Sequence, residues 1–181
     1  LKTTNDKRWR IEHAQIVNPI HLALFKKYTI IPSVQPTHAT SDMYWLEERL
    51  GEERMKTAYS YKDLLQQNGI IALGTDFPIE DIDPLKTFFA ATIRKDEKDF
   101  PKDGFQTENA LTRIEALKGM TIWAALSNFE EEVKGSLEVG KSADFVILSQ
   151  DIMEVDEADI LKTKVLNTYI NGEIVYSATK K

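Results

Sequence analysis

The chain has 181 residues, 42% hydrophobic and 29% charged, with a net charge of −6 and no cysteine. That balance fits a globular chain long enough to bury a core, and it excludes disulfides, thiolate metal ligands and wholesale disorder. The mild acidity argues against a nucleic-acid partner, because phosphate neutralisation requires a basic face. No apolar run approaches the ~20 residues needed to cross a bilayer.

In chain order, Trp9 to His13 reads as a short strand. Pro19 opens a helix through Tyr28, with proline in its first turn and Ile20, Ala23 and Leu24 on one side. Thr29 to Gln35 follows as a second strand. Its near-continuous apolar character suits a parallel sheet, although Pro32 removes one ladder donor. The stretch from Pro36 to Tyr59 is a longer excursion rich in charges, with a short helix around Met43 to Leu50. Tyr61 to Gln67 forms another helix, stopped by Asn68-Gly69. Ile70 to Gly74 is the clearest buried strand, Pro84 to Ile93 a further helix, and the charged run Arg94 to Asp103 an exposed loop. Strand and helix alternating in this way is the pattern of successive βα units.

Beyond that loop the pattern changes. Thr112 and Glu115 match a capping box, opening a helix that runs from Ala116 to Phe129 with a break near Thr121. Next come Gly135-Ser136-Leu137, the segment Gly140 to Leu148, and a hairpin of Val165 to Ile170 and Glu173 to Tyr176. Asn171-Gly172 between those two strands is a strong turn signal. The expected division is therefore residues 1–132 as βα units and 133–181 as a small β unit.

Three predicted strands each deliver polar groups at their carboxyl ends: His13, then Gln35 with His38, then Asp76 of Gly74-Thr75-Asp76-Phe77-Pro78. In a parallel α/β barrel those ends converge on one mouth, where catalysis sits. An imidazole and a carboxylate arriving there are suitable ligands for a divalent metal. Singly, each has an ordinary explanation. A histidine at a strand end is more often structural, and an aspartate often forms a turn or caps a helix. Convergence gives them weight. Strand alternation places His13 on the face of Ile11, opposite Arg10 and Glu12. Tyr44, Trp45 and Phe77 are candidates to line an apolar pocket, with plain packing as the ordinary alternative. His21 falls inside a helix, and Glu47-Glu48, Glu52-Glu53 and Glu130 to Glu132 read as solvated faces. A P-loop, a dinucleotide glycine fingerprint and a serine elbow are all absent.

Taken together, several segments resemble the C-terminal portion of the amidohydrolase superfamily, in the subgroup that includes N-substituted formamide deformylase. They are Arg10-Ile11-Glu12-His13-Ala14-Gln15, Gln35-Pro36-Thr37-His38, Gly74 to Pro78, Ala116-Leu117 to Ala124-Ala125, Gly135 to Leu148 and Asn171 to Tyr176. The resemblance implies an α/β fold: the C-terminal part of a TIM-type (β/α)8 metal-dependent hydrolase barrel, strands six to eight, plus part of a small β-sandwich. It implies that His13 and Asp76 bind a divalent metal, zinc by preference. Asp76 would also be the catalytic acid–base, and Gln35, His38, Trp45 and Phe77 would contact substrate.

The implied activity is hydrolysis of a carbon–nitrogen bond in a small amide or formamide-like substrate by the longer enzyme, the isolated chain being inactive. The expected partners are that substrate and either the protein's own N-terminal half or a second copy, with no membrane and a cytoplasmic home. The competing expectation is a non-catalytic module, because two ligands are too few for a catalytic zinc that needs three protein groups. An unrelated α/β ligand-binding domain is the third.

Overall fold

The computed structural model describes residues 6–179, which form an α/β fold with two sheets. Strands β1 (Arg10–Glu12), β2 (Ile31–Val34) and β3 (Ala72–Leu73) make a parallel sheet in that order. Arg10 lies opposite Ile31, Glu12 opposite Ser33, and Val34 opposite Leu73. Pro32 is tolerated in the central strand for a geometric reason. Ile31 and Ser33 carry the β1 ladder, through Ile31 N–H to the Trp9 carbonyl and His13 N–H to the Ser33 carbonyl. Alternation turns the Pro32 backbone towards β3, whose pairing starts only at Ser33.

Helix α1 (Pro19–Tyr28) joins β1 to β2, capped by the Asn18 side chain and ended by Thr29 in a left-handed conformation. Its expected inward face is corrected: Ile20 and Leu24 are exposed, and Phe25 is the residue that enters the core. The excursion after β2 is more helical than its sequence shows. It holds α2 (Pro36–Asp42), α3 (Leu46–Leu50) and α4 (Glu52–Met55) before α5 (Tyr61–Asn68). In α2 residues Pro36 to Thr40 are all buried and only its last turn reaches the surface, so the helix offers no amphipathic period to read.

After β3 come α6 (Pro84–Ile93), α7 (Arg113–Met120) and α8 (Ile122–Ser127), the last two separated at Thr121. The capping box forms: Thr112 Oγ1 accepts from Glu115 N–H, and the Glu115 carboxylate accepts from Thr112 N–H. A short α9 (Glu157–Ile160), absent from the sequence reading, seats Ile160 in the core. The core gathers Phe25, Val34, Leu46, Leu64, Ile71, Leu73, Phe88 and Leu111 between the parallel sheet and its helices.

The second sheet is antiparallel, β4 (Phe145–Leu148), β5 (Val165–Ile170) and β6 (Glu173–Ser177), with β5 in the centre. The hairpin turns at Asn171 and Gly172, both at positive φ. Two readings of charged segments change. Arg94, placed in an exposed loop by its neighbours, is fully buried. Glu131 is held by Arg8 through paired bonds of 2.6 and 2.7 Å rather than simply solvated. No helix among the described residues is long and apolar enough to cross a membrane.

Candidate metal centre

The backbone leaves the strands abruptly at both candidate ligands. His13 follows the last residue of β1 with φ 66°, and Ala14 N–H bonds the Glu12 carbonyl at 2.8 Å, closing a three-residue turn around His13. Strand alternation therefore stops at Glu12, which corrects the assignment of His13 to the Ile11 face. Asp76 follows β3 with φ 59°, and Ile79 N–H bonds its carbonyl at 2.8 Å. Left-handed backbone costs a non-glycine residue about 1–2 kcal/mol. Such positions persist where surrounding structure fixes them, often at functional sites. Here both turns aim a side chain at the same point.

His38 arrives at that point from α2, the third residue of a helix that Pro36 opens. The Nδ1 atom of His13 lies 3.9 Å from Oδ2 of Asp76, and Nε2 of His38 lies 3.6 Å from the same oxygen. The two imidazoles stack with centroids 5.7 Å apart and planes 17° from parallel. One ligand atom from each of the three residues falls within 4.8 Å of the others. Side-chain exposure is graded, from 45% at His13 through 34% at Asp76 to 8% at His38. The cluster thus has an open side and a closed one.

The donor set fits a divalent cation. Two imidazoles and a carboxylate are nitrogen and oxygen ligands of the kind that hold zinc and its neighbours. Both ring nitrogens of His38 are buried without a hydrogen-bond partner, as is Oε1 of Gln35 at the start of α2. A buried polar atom without a partner is uncommon enough to need an explanation, and a cation among these side chains would supply one for Nε2, the nitrogen that faces Asp76. The two-ligand count of the sequence reading becomes three, because His38, read as a substrate contact, stands among the metal-capable groups.

The other predicted contacts divide. Gln35 is buried beside the cluster, its carbonyl accepting from Tyr61 O–H at 3.0 Å. Phe77 is exposed and adjoins Asp76. Trp45 sits past the far end of α2, and among the described residues no hydrogen bond or ring contact joins its indole to the cluster. Sequence reading missed Glu80, whose Oε1 lies 3.8 Å from Nε2 of His38. Its signal was a second carboxylate shortly after Asp76 in the same loop.

The chain belongs to the amidohydrolase family, whose model matches residues 2–176. It is 33% identical over 172 residues to YtcJ of Bacillus subtilis (strain 168), covering 95% of this chain and 32% of that protein. It is 26% identical over 128 residues to the N-substituted formamide deformylase of Arthrobacter pascens, covering 71% of this chain and 23% of that enzyme. Among solved structures, an uncharacterized metal-dependent hydrolase from Pyrococcus horikoshii OT3 superposes with a TM-score of 0.71 at 35% identity, covering 82% of this chain and 30% of that one. The chain thus spans about a third or less of the length of these relatives.

Proposed function

We propose that this chain is the C-terminal part of a metal-dependent hydrolase that cleaves carbon–nitrogen bonds in small amide or N-substituted formamide-like substrates. The parallel sheet would then be strands six to eight of a (β/α)8 barrel, and residues 133–181 part of a β-sandwich. The observation that carries this reading is the meeting of His13, His38 and Asp76 beyond the carboxyl ends of three parallel strands, within 4.8 Å of one another. The metal-dependent hydrolase from Pyrococcus horikoshii OT3 and the Arthrobacter formamide deformylase support it.

In this reading His13, His38 and Asp76 hold a divalent cation, zinc by preference. When bound, it polarises the substrate carbonyl and acidifies the attacking water. Asp76 takes the proton from that water as the oxygen adds to the carbonyl carbon. It then gives the proton to the departing nitrogen as the carbon–nitrogen bond breaks. Gln35, through its free Oε1, accepts a hydrogen bond from the substrate N–H. Phe77, exposed at the open side, covers an apolar substituent, and Trp45 is assigned to the same pocket in the longer protein.

The test is made on the full-length protein with a panel of formamides and small amides. Asp76→Asn keeps the shape and removes the base, so kcat is expected to fall by ~10²–10⁴-fold with KM little changed. His13→Ala is expected to lower metal content, and Asp76→Asn, which loses the charge of a ligand as well as the base, is compared with the parent at equal metal occupancy. Turnover of Asp76→Asn within a few-fold of the parent would remove Asp76 from the mechanism. A full-length protein that binds no metal and hydrolyses nothing in the panel would favour the non-catalytic module.

A further inference from the structure

The two elements that carry the imidazoles are tied to each other by a triangle of side chains. Gln15 lies just past His13, where the chain has turned through left-handed backbone at His13 and Ala14. Asp42 ends α2, one turn beyond His38 on the same side of the helix. Tyr59 joins them. Its N–H donates to the Gln15 carbonyl at 2.7 Å, next to an antiparallel bridge between Ile16 and Ala58. Its O–H donates to Oδ2 of Asp42. The Gln15 amide closes the triangle, with Nε2 3.2 Å from Tyr59 Oη and 3.3 Å from the same Asp42 oxygen.

Tyr59 sits at φ 53° and is 1% exposed. Left-handed backbone is uncommon for a bulky side chain, and it persists where the surroundings fix it, often at functional sites. From that position one residue bonds Gln15 through its main chain and Asp42 through its side chain. Burial, and after it the bond to Asp42, raises the hydroxyl above the ordinary tyrosine pKa, so it stays a donor. Hydrogen bonds to a carboxylate are also stronger than those between neutral groups. Sheet register alone does not set the spacing of the two imidazoles. The pairing of β1 with β2 ends as His13 N–H meets the Ser33 carbonyl, and both rings lie beyond it, one on a turn and one on a helix.

We propose that Tyr59 is a positioning residue for the metal centre: with Gln15 and Asp42 it sets the spacing of His13 and His38, and through that the affinity for a divalent cation. The proposal rests on the reading that His13, His38 and Asp76 hold such a cation. Tyr59 acts through the two elements that carry the histidines, not by touching cation or substrate. Ligands already held in place lose less freedom when the cation arrives, so the triangle contributes affinity by preorganisation.

Competition for Zn²⁺ between a chelator and the full-length protein decides it, with melting of the metal-free proteins followed alongside. Tyr59→Phe keeps the ring and removes the hydroxyl, and is expected to weaken Zn²⁺ binding about 10-fold. Asp42→Asn keeps the shape and removes the charge, with a loss of similar size. Because the groups act as one unit, the double variant is expected to bind no more weakly than the worse single one. Ile160→Val, a change to a fully buried residue of α9, is expected to lower the melting temperature and leave Zn²⁺ affinity alone. Unchanged affinity in Tyr59→Phe and Asp42→Asn, with His13→Ala weakened, overturns the role of Tyr59 and leaves the metal site standing. Additive losses in the double variant overturn it too. So does a loss in Ile160→Val as large as that in Tyr59→Phe, which would mean general loosening. If Tyr59→Phe does not fold, Asp42→Asn and Gln15→Ala answer the same question with the same outcomes. A parent protein that binds no Zn²⁺, or a His13→Ala variant with parental affinity, overturns both readings.

Discussion

Arg94 ends α6 in a left-handed conformation, φ 60°, with its guanidinium fully buried. Nε donates to the Phe105 carbonyl at 2.8 Å and Nη2 to Oε1 of Gln106 at 3.2 Å. The group also lies 5.2 Å from the Tyr61 ring centre and 5.5 Å from that of Phe105. Burial pulls its pKa below the usual arginine value, and among the described residues no carboxylate forms an ion pair with it. Hydrogen bonds and ring faces therefore keep the cation in place. Arg94→Ala would strip two partly buried acceptors of their donor and open a cavity. The expected loss is about 3 kcal/mol of stability, read as a shift in the urea midpoint. A loss below about 1 kcal/mol would mean that water replaces the side chain. The sequence could not announce this burial, because Arg94 begins a run of charges whose other members are mostly at the surface.

Helix α2 is gripped at both ends by one short segment. Tyr61 O–H donates to the Gln35 carbonyl at its start, and Tyr59 O–H bonds the Asp42 carboxylate at its end. Gln15 reaches both Tyr59 Oη, at 3.2 Å, and Asp42 Oδ2, at 3.3 Å. Burial pushes the Tyr61 hydroxyl well above the usual tyrosine range, so it remains a donor. The helix that carries His38 is thus positioned by buried hydrogen bonds, which leave no trace in a hydrophobic pattern. A second element is set by a close approach. A Cβ added at Gly119 would stand 2.6 Å from Leu73 Cγ and 3.1 Å from the Ile71 carbonyl, so α7 lies directly on β3. Alanine gains about 1 kcal/mol of helix propensity over glycine, whereas overpacking costs about 1–3 kcal/mol. Leu73 Cγ and a strand backbone move with difficulty, so Gly119→Ala is expected to destabilise by about 1–2 kcal/mol in chemical denaturation. Stabilisation would show that α7 can lift from the sheet.

At the scale of the molecule, β1 pairs among the described residues with β2 alone, and all three of its residues are exposed. Trp9, Ile16, Ile20 and Leu24, before and after β1 in the chain, are exposed as well. The antiparallel sheet likewise shows Val146, Ile170, Ile174, Val175 and Tyr176 to solvent. Unpaired strand edges and broad apolar faces recruit other chains. The 181-residue chain is therefore expected to self-associate, or to dock on the rest of its own protein when that is supplied. Light scattering over a hundredfold concentration range tests this. A constant monomer mass with a cooperative melt would show that these surfaces are self-sufficient.

Local patterns written in neighbouring residues were legible from sequence alone. Proline at the start marks α1 and α6, Asn68-Gly69 stops α5, the Thr112–Glu115 pair opens α7, and Asn171-Gly172 turns the hairpin. Each depends on contacts a few residues apart, so the chain specifies them without its fold. The alternation of strand and helix, with His13, His38 and Asp76 after successive strands, was readable for the same reason. Only the tertiary structure decided that these three groups lie within 4.8 Å, that Glu80 stands beside His38, and that Pro36 to Thr40 of α2 are buried. The metal-capable set combines residues from positions 13, 38 and 76, and their separation in space is fixed by sheet register and by turns at positive φ. No short window of sequence contains those distances.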